Sequence, residues 1–162
     1  MNIPIGKTEA EQKGFDEEKP FERLKSMVDT GFNGYLVATI EGVTGLEEGL
    51  LMVREKEIVG AIFDALRVNK QLYGIPALRL VLNLLKAKKG VFDVNGLSKQ
   101  QIDLIIAFNE KVHLHKPVNM SLLKKLEPEE YRKDLVSKEM AFDLTAEETK
   151  QNLLKRMGLG SI

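Results

Sequence analysis

The 162-residue chain contains no cysteine, which removes disulfides, thiolate catalysis and sulfur-ligated zinc together. It also has no run of about 18 uncharged apolar residues of the kind a membrane-spanning helix needs. The richest stretch, Ala77 to Leu85, is broken by Arg79 and Asn83. The segment from Met1 to Thr8 shows no apolar block of signal-peptide length behind a basic head, so the cytoplasm is the expected compartment. A dense positive stripe is missing too. Residues 1–30 carry five basic and seven acidic side chains, residues 127–162 carry six and eight, and the middle carries 13 and nine. A central excess of four is far below what binding to a phosphate backbone requires, which argues against a nucleic-acid partner.

What is present is the composition of a globular chain, 43% hydrophobic and 30% charged, long enough to bury a core without a staple. The first 19 residues are polar and aperiodic and predict a loose arm. Pro20 then suits the first position of a helix, Phe21, Leu24, Met27 and Val28 fall on one helical face, and Gly31 is a natural stop. From Phe32 to Ile40 the period shortens to two, with Tyr35, Val37 and Thr39 on one side and Leu36, Ala38 and Ile40 on the other. Leu50–Arg54 and Ile58–Phe63 read as two more strands around the tight charged turn Glu55-Lys56-Glu57. Connections this short dictate an antiparallel meander. Pro76–Lys89 predicts the strongest helix, with Lys86, Lys88 and Lys89 in a last turn that Gly90 closes. Val91–Val94 predicts a fourth strand, and Ser98 with Gln101 has the spacing of a capping box opening a helix through Ile102, Ile105 and Ile106.

Past Pro117 the chain turns to short Lys- and Glu-rich helical pieces. A second capping-box spacing at Thr145–Glu148 starts an amphipathic helix bearing Leu153, Leu154 and Met157. The expected organisation is therefore an arm over 1–19, an α+β core over 20–115 and a helical extension over 116–162. The core is a small antiparallel sheet, a three-strand meander plus a fourth strand, packed with two or three helices.

Few residues carry recognisable chemistry. Gly6-Lys7-Thr8 matches the end of a phosphate-binding loop, but the motif's first glycine would fall on Met1 and no strand could precede it. Gly42, Gly45 and Gly49 lie in a strand–turn–strand context, whereas a dinucleotide fingerprint needs a helix N-terminus behind it; turn glycines explain them. His113 and His115 could project together from an extended segment, yet two ligands without a third seldom hold a metal. Asp64, Asp93 and Asp103 could supply a carboxylate pair, although Asp103 also suits the first turns of its helix. No nucleophile with a recognisable base is present, so no catalytic residue, metal or cofactor is assigned. An amphipathic helix on a polar tether can lie in a partner's groove, which makes Leu153, Leu154 and Met157 the candidate partner-binding residues.

Five segments form a recognisable series: Gly34-Tyr35-Leu36-Val37, Glu48-Gly49-Leu50-Leu51, Glu57-Ile58-Val59-Gly60-Ala61, Tyr73-Gly74-Ile75-Pro76-Ala77-Leu78 and Gly90-Val91-Phe92-Asp93-Val94. This series resembles an archaeal family of uncharacterised proteins related to the PATAN-type (PatA amino-terminal) domains of bacterial signalling proteins. The match spans about residues 20–115, with Glu55-Lys56-Glu57 standing where relatives often carry an Asp-Gly turn. The resemblance implies a signalling or protein-interaction module without established catalytic residues. The expected function is thus a noncatalytic regulatory or adaptor protein with an unknown protein partner. Alternatives are a small-molecule sensor with its pocket between the sheet and the Pro76–Lys89 helix, and an enzyme built on Asp64 or Asp93. A homodimer would protect the sheet's edges.

Overall fold

In a computed structural model, residues 3–140 are described. The chain divides into two compact units, 1–131 and 132–162. In the second, residues 133–140 are helical.

The first unit is built on an all-antiparallel seven-stranded sheet. In chain order its elements are β1 (Lys7–Gly14), α1 (Pro20–Thr30), β2 (Gly34–Gly42), β3 (Gly45–Arg54), β4 (Glu57–Ala65), β5 (Lys70–Tyr73), α2 (Gly74–Leu84), β6 (Val91–Gly96), α3 (Lys99–Phe108), β7 (His113–Val118) and α4 (Met120–Leu126). The strand order is β1-β6-β2-β3-β4-β5, and β7 also pairs with β4. The expected meander is β2–β3–β4, and the expected fourth strand, β6, lies beside β2.

Three strands were not anticipated. The segment expected as a loose arm forms β1 against β6; it is an edge strand of charged residues in which Ala10 alone is fully buried, so no alternation betrays it. β5 covers Ile62–Ala65 of β4, while β7 covers Ile58 and Gly60 of the same edge. Pro117 sits in β7, as an edge position allows.

The helices start and stop where their residues require. Gly31 closes α1 at φ +73°, a left-handed conformation that costs glycine little. Ser98 Oγ accepts from the Gln101 amide at 3.1 Å while Gln101 Oε1 accepts from the Ser98 amide at 2.9 Å, completing the capping box. α2 ends earlier than its apolar pattern suggests, and Lys86 lies beyond the helix, where its ammonium meets Glu127 at 2.8 Å. Lys25 grips the other oxygen of Glu127, also at 2.8 Å, and both ammonium groups lie over the Phe21 ring. Burial pushes the Glu127 carboxyl up, but the two lysine hydrogen bonds outweigh it and hold it below the ordinary value.

Register divides the sheet into two unlike faces. Leu36, Ala38, Ile40, Leu51, Val53, Ala61, Phe63, Ala65, Phe92 and Val94 share one face and are all buried; α1 and α2 cover it. The other face carries Tyr35, Leu50, Met52 and Ile62, which pack against Leu97, Ile102, Ile105 and Val112. α3 is fastened there by an ion pair between Arg54 and Asp103.

Candidate functional site

The second face continues beyond α3 as a polar half. β3 and β4 pair with a one-residue shift between Met52/Gly60 and Val53/Ile58, a bulge that leaves Val59 without a partner. The shift sets Glu48 directly opposite Asp64, with Thr39 across from Glu48 on β2 and Gln71 across from Asp64 on β5. Without it, Glu48 would face Phe63. Gln71 Nε2 donates to Asp64 Oδ2 at 2.9 Å, and the Tyr73 hydroxyl donates to Gln71 Oε1 at 2.5 Å. Burial pushes the Glu48 carboxyl up, the neighbouring Asp64 charge pushes it further, and the Thr39 hydroxyl partly offsets both. Ile3, Leu50 and Ile62 complete a hollow of about 70 Å³. That volume admits a water or two and is well below the roughly 300–1,000 Å³ of typical ligand sites.

The carboxylates singled out from sequence therefore separate. Asp64 joins Glu48, a residue the sequence reading did not single out. Asp93 stands opposite Val37 and accepts the Gln12 amide at 2.8 Å, and Asp103 is engaged by Arg54. His113 and His115 do project together, their rings edge to face at 5.3 Å. Among the described residues, no group of three or more histidine or carboxylate side chains is placed to hold a metal. Gly6-Lys7-Thr8 leads into β1, with Gly6 pressed against the Gly96 carbonyl. Gly42 and Gly45 are hairpin residues as expected, but Gly49 lies inside β3, where a Cβ would come 2.8 Å from Val81 of α2. Helix and sheet thus touch at the place where a sensor pocket was envisaged. Leu153, Leu154 and Met157 fall outside the described residues.

Another surface stands out on α3. Ile102 and Ile105 turn inward, which leaves Leu104 and Phe108, four residues apart, on the outward side. Leu104 is 57% exposed and Phe108 84%. Beside Phe108 the chain leaves the helix through Asn109, whose side-chain amide donates to the Ile105 carbonyl at 2.8 Å. A depression of about 580 Å³ opens there, lined by Tyr73, Ala107, Phe108, Asn109, Glu110, Lys111 and Val112. The available sequence signal was an apolar pair at i and i+4 pointing away from the Ile102/Ile105 face.

Residues 1–109 match the family described as uncharacterized proteins conserved in archaea (DUF2226). The chain belongs to this family. The match includes every sheet strand except β7 and the whole of α3, so both surfaces just described lie on family sequence, apart from the Glu110–Val112 rim of the depression. No curated protein and no solved structure matches this DUF2226 member. Among its described residues, no helix is long and apolar enough to cross a membrane.

Proposed function

We propose that this protein works by binding another protein through the outward side of α3 and the depression beside it. One observation carries the reading: Phe108 is 84% exposed, with Leu104 on the same side of the helix. Fully burying a phenylalanine is worth roughly 1.5–3 kcal/mol, and large aromatic side chains beside a pocket are the anchors of protein interfaces. The rim carries one carboxylate, Glu110, and one ammonium, Lys111. The fitting partner therefore presents an apolar side chain with charges of both signs around it and needs no strong net charge. The resemblance to PATAN-type signalling domains supports the same regulatory or adaptor role. The Glu48–Asp64 pair offers an acid beside a second carboxylate, but its hollow is too small for a metabolite, so protein binding is the better-supported function.

The test is affinity capture with wild-type and Phe108→Asp chains, followed by affinity measurement on any protein that distinguishes them. Phe108→Asp should weaken that complex at least roughly tenfold and leave the melting temperature nearly unchanged, because the ring has few neighbours to lose. Equal affinity for both chains would overturn the assignment. Leu153→Asp, run alongside, reports whether the C-terminal candidate contributes to the same complex.

A further inference from the structure

The two imidazoles on β7 are not used by the proposed binding surface. His113 and His115 are the chain's only histidines, and it has no cysteine. They stand two residues apart on a strand, which turns both side chains to the same side. Leu114 between them and Val118 beyond are buried, so the backbone beneath the pair is anchored in the core. His113 is half-buried and His115 exposed, which leaves the pair open to solvent. Their ring centres are 5.3 Å apart and their planes are inclined at 64°.

Those values suit a shared ion. Tetrahedral zinc holds an imidazole nitrogen at about 2.0–2.1 Å, and the ring centre lies roughly 1.2 Å further out, so two imidazoles on one ion have centres about 5 Å apart. The donor lone pairs lie in the ring planes, so an ion held by both rings must sit where the planes cross. Parallel stacked rings offer no such point, whereas inclined rings do. We infer that His113 and His115 form a bidentate site for a divalent transition metal of the zinc, nickel and copper class, for which neutral imidazole is a favoured ligand. The strand orients both rings before the ion arrives, so little freedom is lost on binding, unlike the case of two independent histidines. Among the described residues no third histidine or carboxylate joins the pair, so water or a donor from solution fills the remaining positions. Structural zinc sites are closed by four protein ligands; with two, this site is an open one whose metal exchanges with solution.

The experiment is calorimetric titration of the untagged full chain with zinc chloride, with magnesium chloride as the control, alongside NMR of the histidine ring protons. Both ring signals should move together and reach completion at one zinc per chain. Magnesium, which prefers oxygen ligands, should move neither. His113→Ala and His115→Ala each leave a single imidazole, and each should weaken zinc binding at least about tenfold, the scale of loss seen even when a partner behind a metal ligand is removed. Zinc affinity equal to wild type in either variant would overturn the chelate. So would ring signals that respond at different zinc concentrations, or that do not respond at all. Because His115 is exposed, His115→Ala should melt at the wild-type temperature without metal, and its zinc affinity decides the matter if His113→Ala does not fold.

Discussion

The two faces of the sheet are made from alternate residues of the same strands, yet they follow different rules. On the face under α1 and α2, the side chains from Leu36 to Val94 are buried and, apart from Glu47 between Ile40 and Ala65, apolar. Gly49 even gives up its side chain so that Val81 can rest against the backbone. On the opposite face, burial stops halfway. α3 covers Tyr35, Leu50, Met52 and Ile62, and beyond it Glu48 stands opposite Asp64, which Gln71 and Tyr73 join in a chain of hydrogen bonds. One face is specified by packing, where shape decides the energy. The other is specified partly by electrostatics, where protonation and solvent do.

Substitutions can break that contrast at graded cost. The largest expected effect is on the packed face: Phe63→Ala, at a fully buried position, should cost about 3–5 kcal/mol in denaturant unfolding. Of intermediate size is Glu127→Gln, at the knot of Lys25, Lys86 and Phe21. Its side chain is 21% exposed, so loss of the charge should cost about 1–2 kcal/mol at neutral pH. Because the folded carboxyl lies below its ordinary value of 4.5, its contribution is present above that value and lost as pH falls through the folded value. Unfolding curves at pH 7 and pH 3 should therefore differ more for wild type than for the variant. Smallest, and opposite in sign, is Glu48→Gln on the open face. Glu48 is held above its ordinary 4.5, so the folded chain retains that proton longer than the unfolded one and wild-type stability falls as pH rises through this window. The amide should raise stability by about 0.5 kcal/mol at pH 7 and change little at pH 4, once solvent screening is allowed for. A loss of stability at pH 7 would show that this face depends on the Glu48 charge.

The readable part of the fold is the part where one element buries several side chains at a fixed period. β2 alternates from Leu36 to Glu41, the apolar residues of α2 recur at helical spacing, and Ser98–Gln101 and Gly31 mark helix ends by local chemistry alone. β1, β5 and β7 bury only one or two residues each, so pattern has nothing to report. The end of α2 is similarly hidden, because Lys86 leaves the helix for a carboxylate 41 residues away. The Glu48–Asp64 pair is illegible for a sharper reason. Counting outward from the Glu55-Lys56 turn assigns Glu48 to Phe63, and only the unpaired Val59 corrects the register. Phe108 was legible in principle, as an apolar residue on the wrong side of an amphipathic helix.

The edge shared by β5 and β7 sets an order of assembly. β2, β3, β4 and β5 are joined by short connections and can zip together while little of the chain is available. The other half of the β4 edge has to wait, since Gly60 pairs with His113, 53 residues further on. During synthesis that stretch of β4 stays bare until β7 emerges, after α2, β6 and α3 have all been made. Closure by β7 is thus the step at which the β4 backbone, central to the sheet, stops being open to a foreign strand.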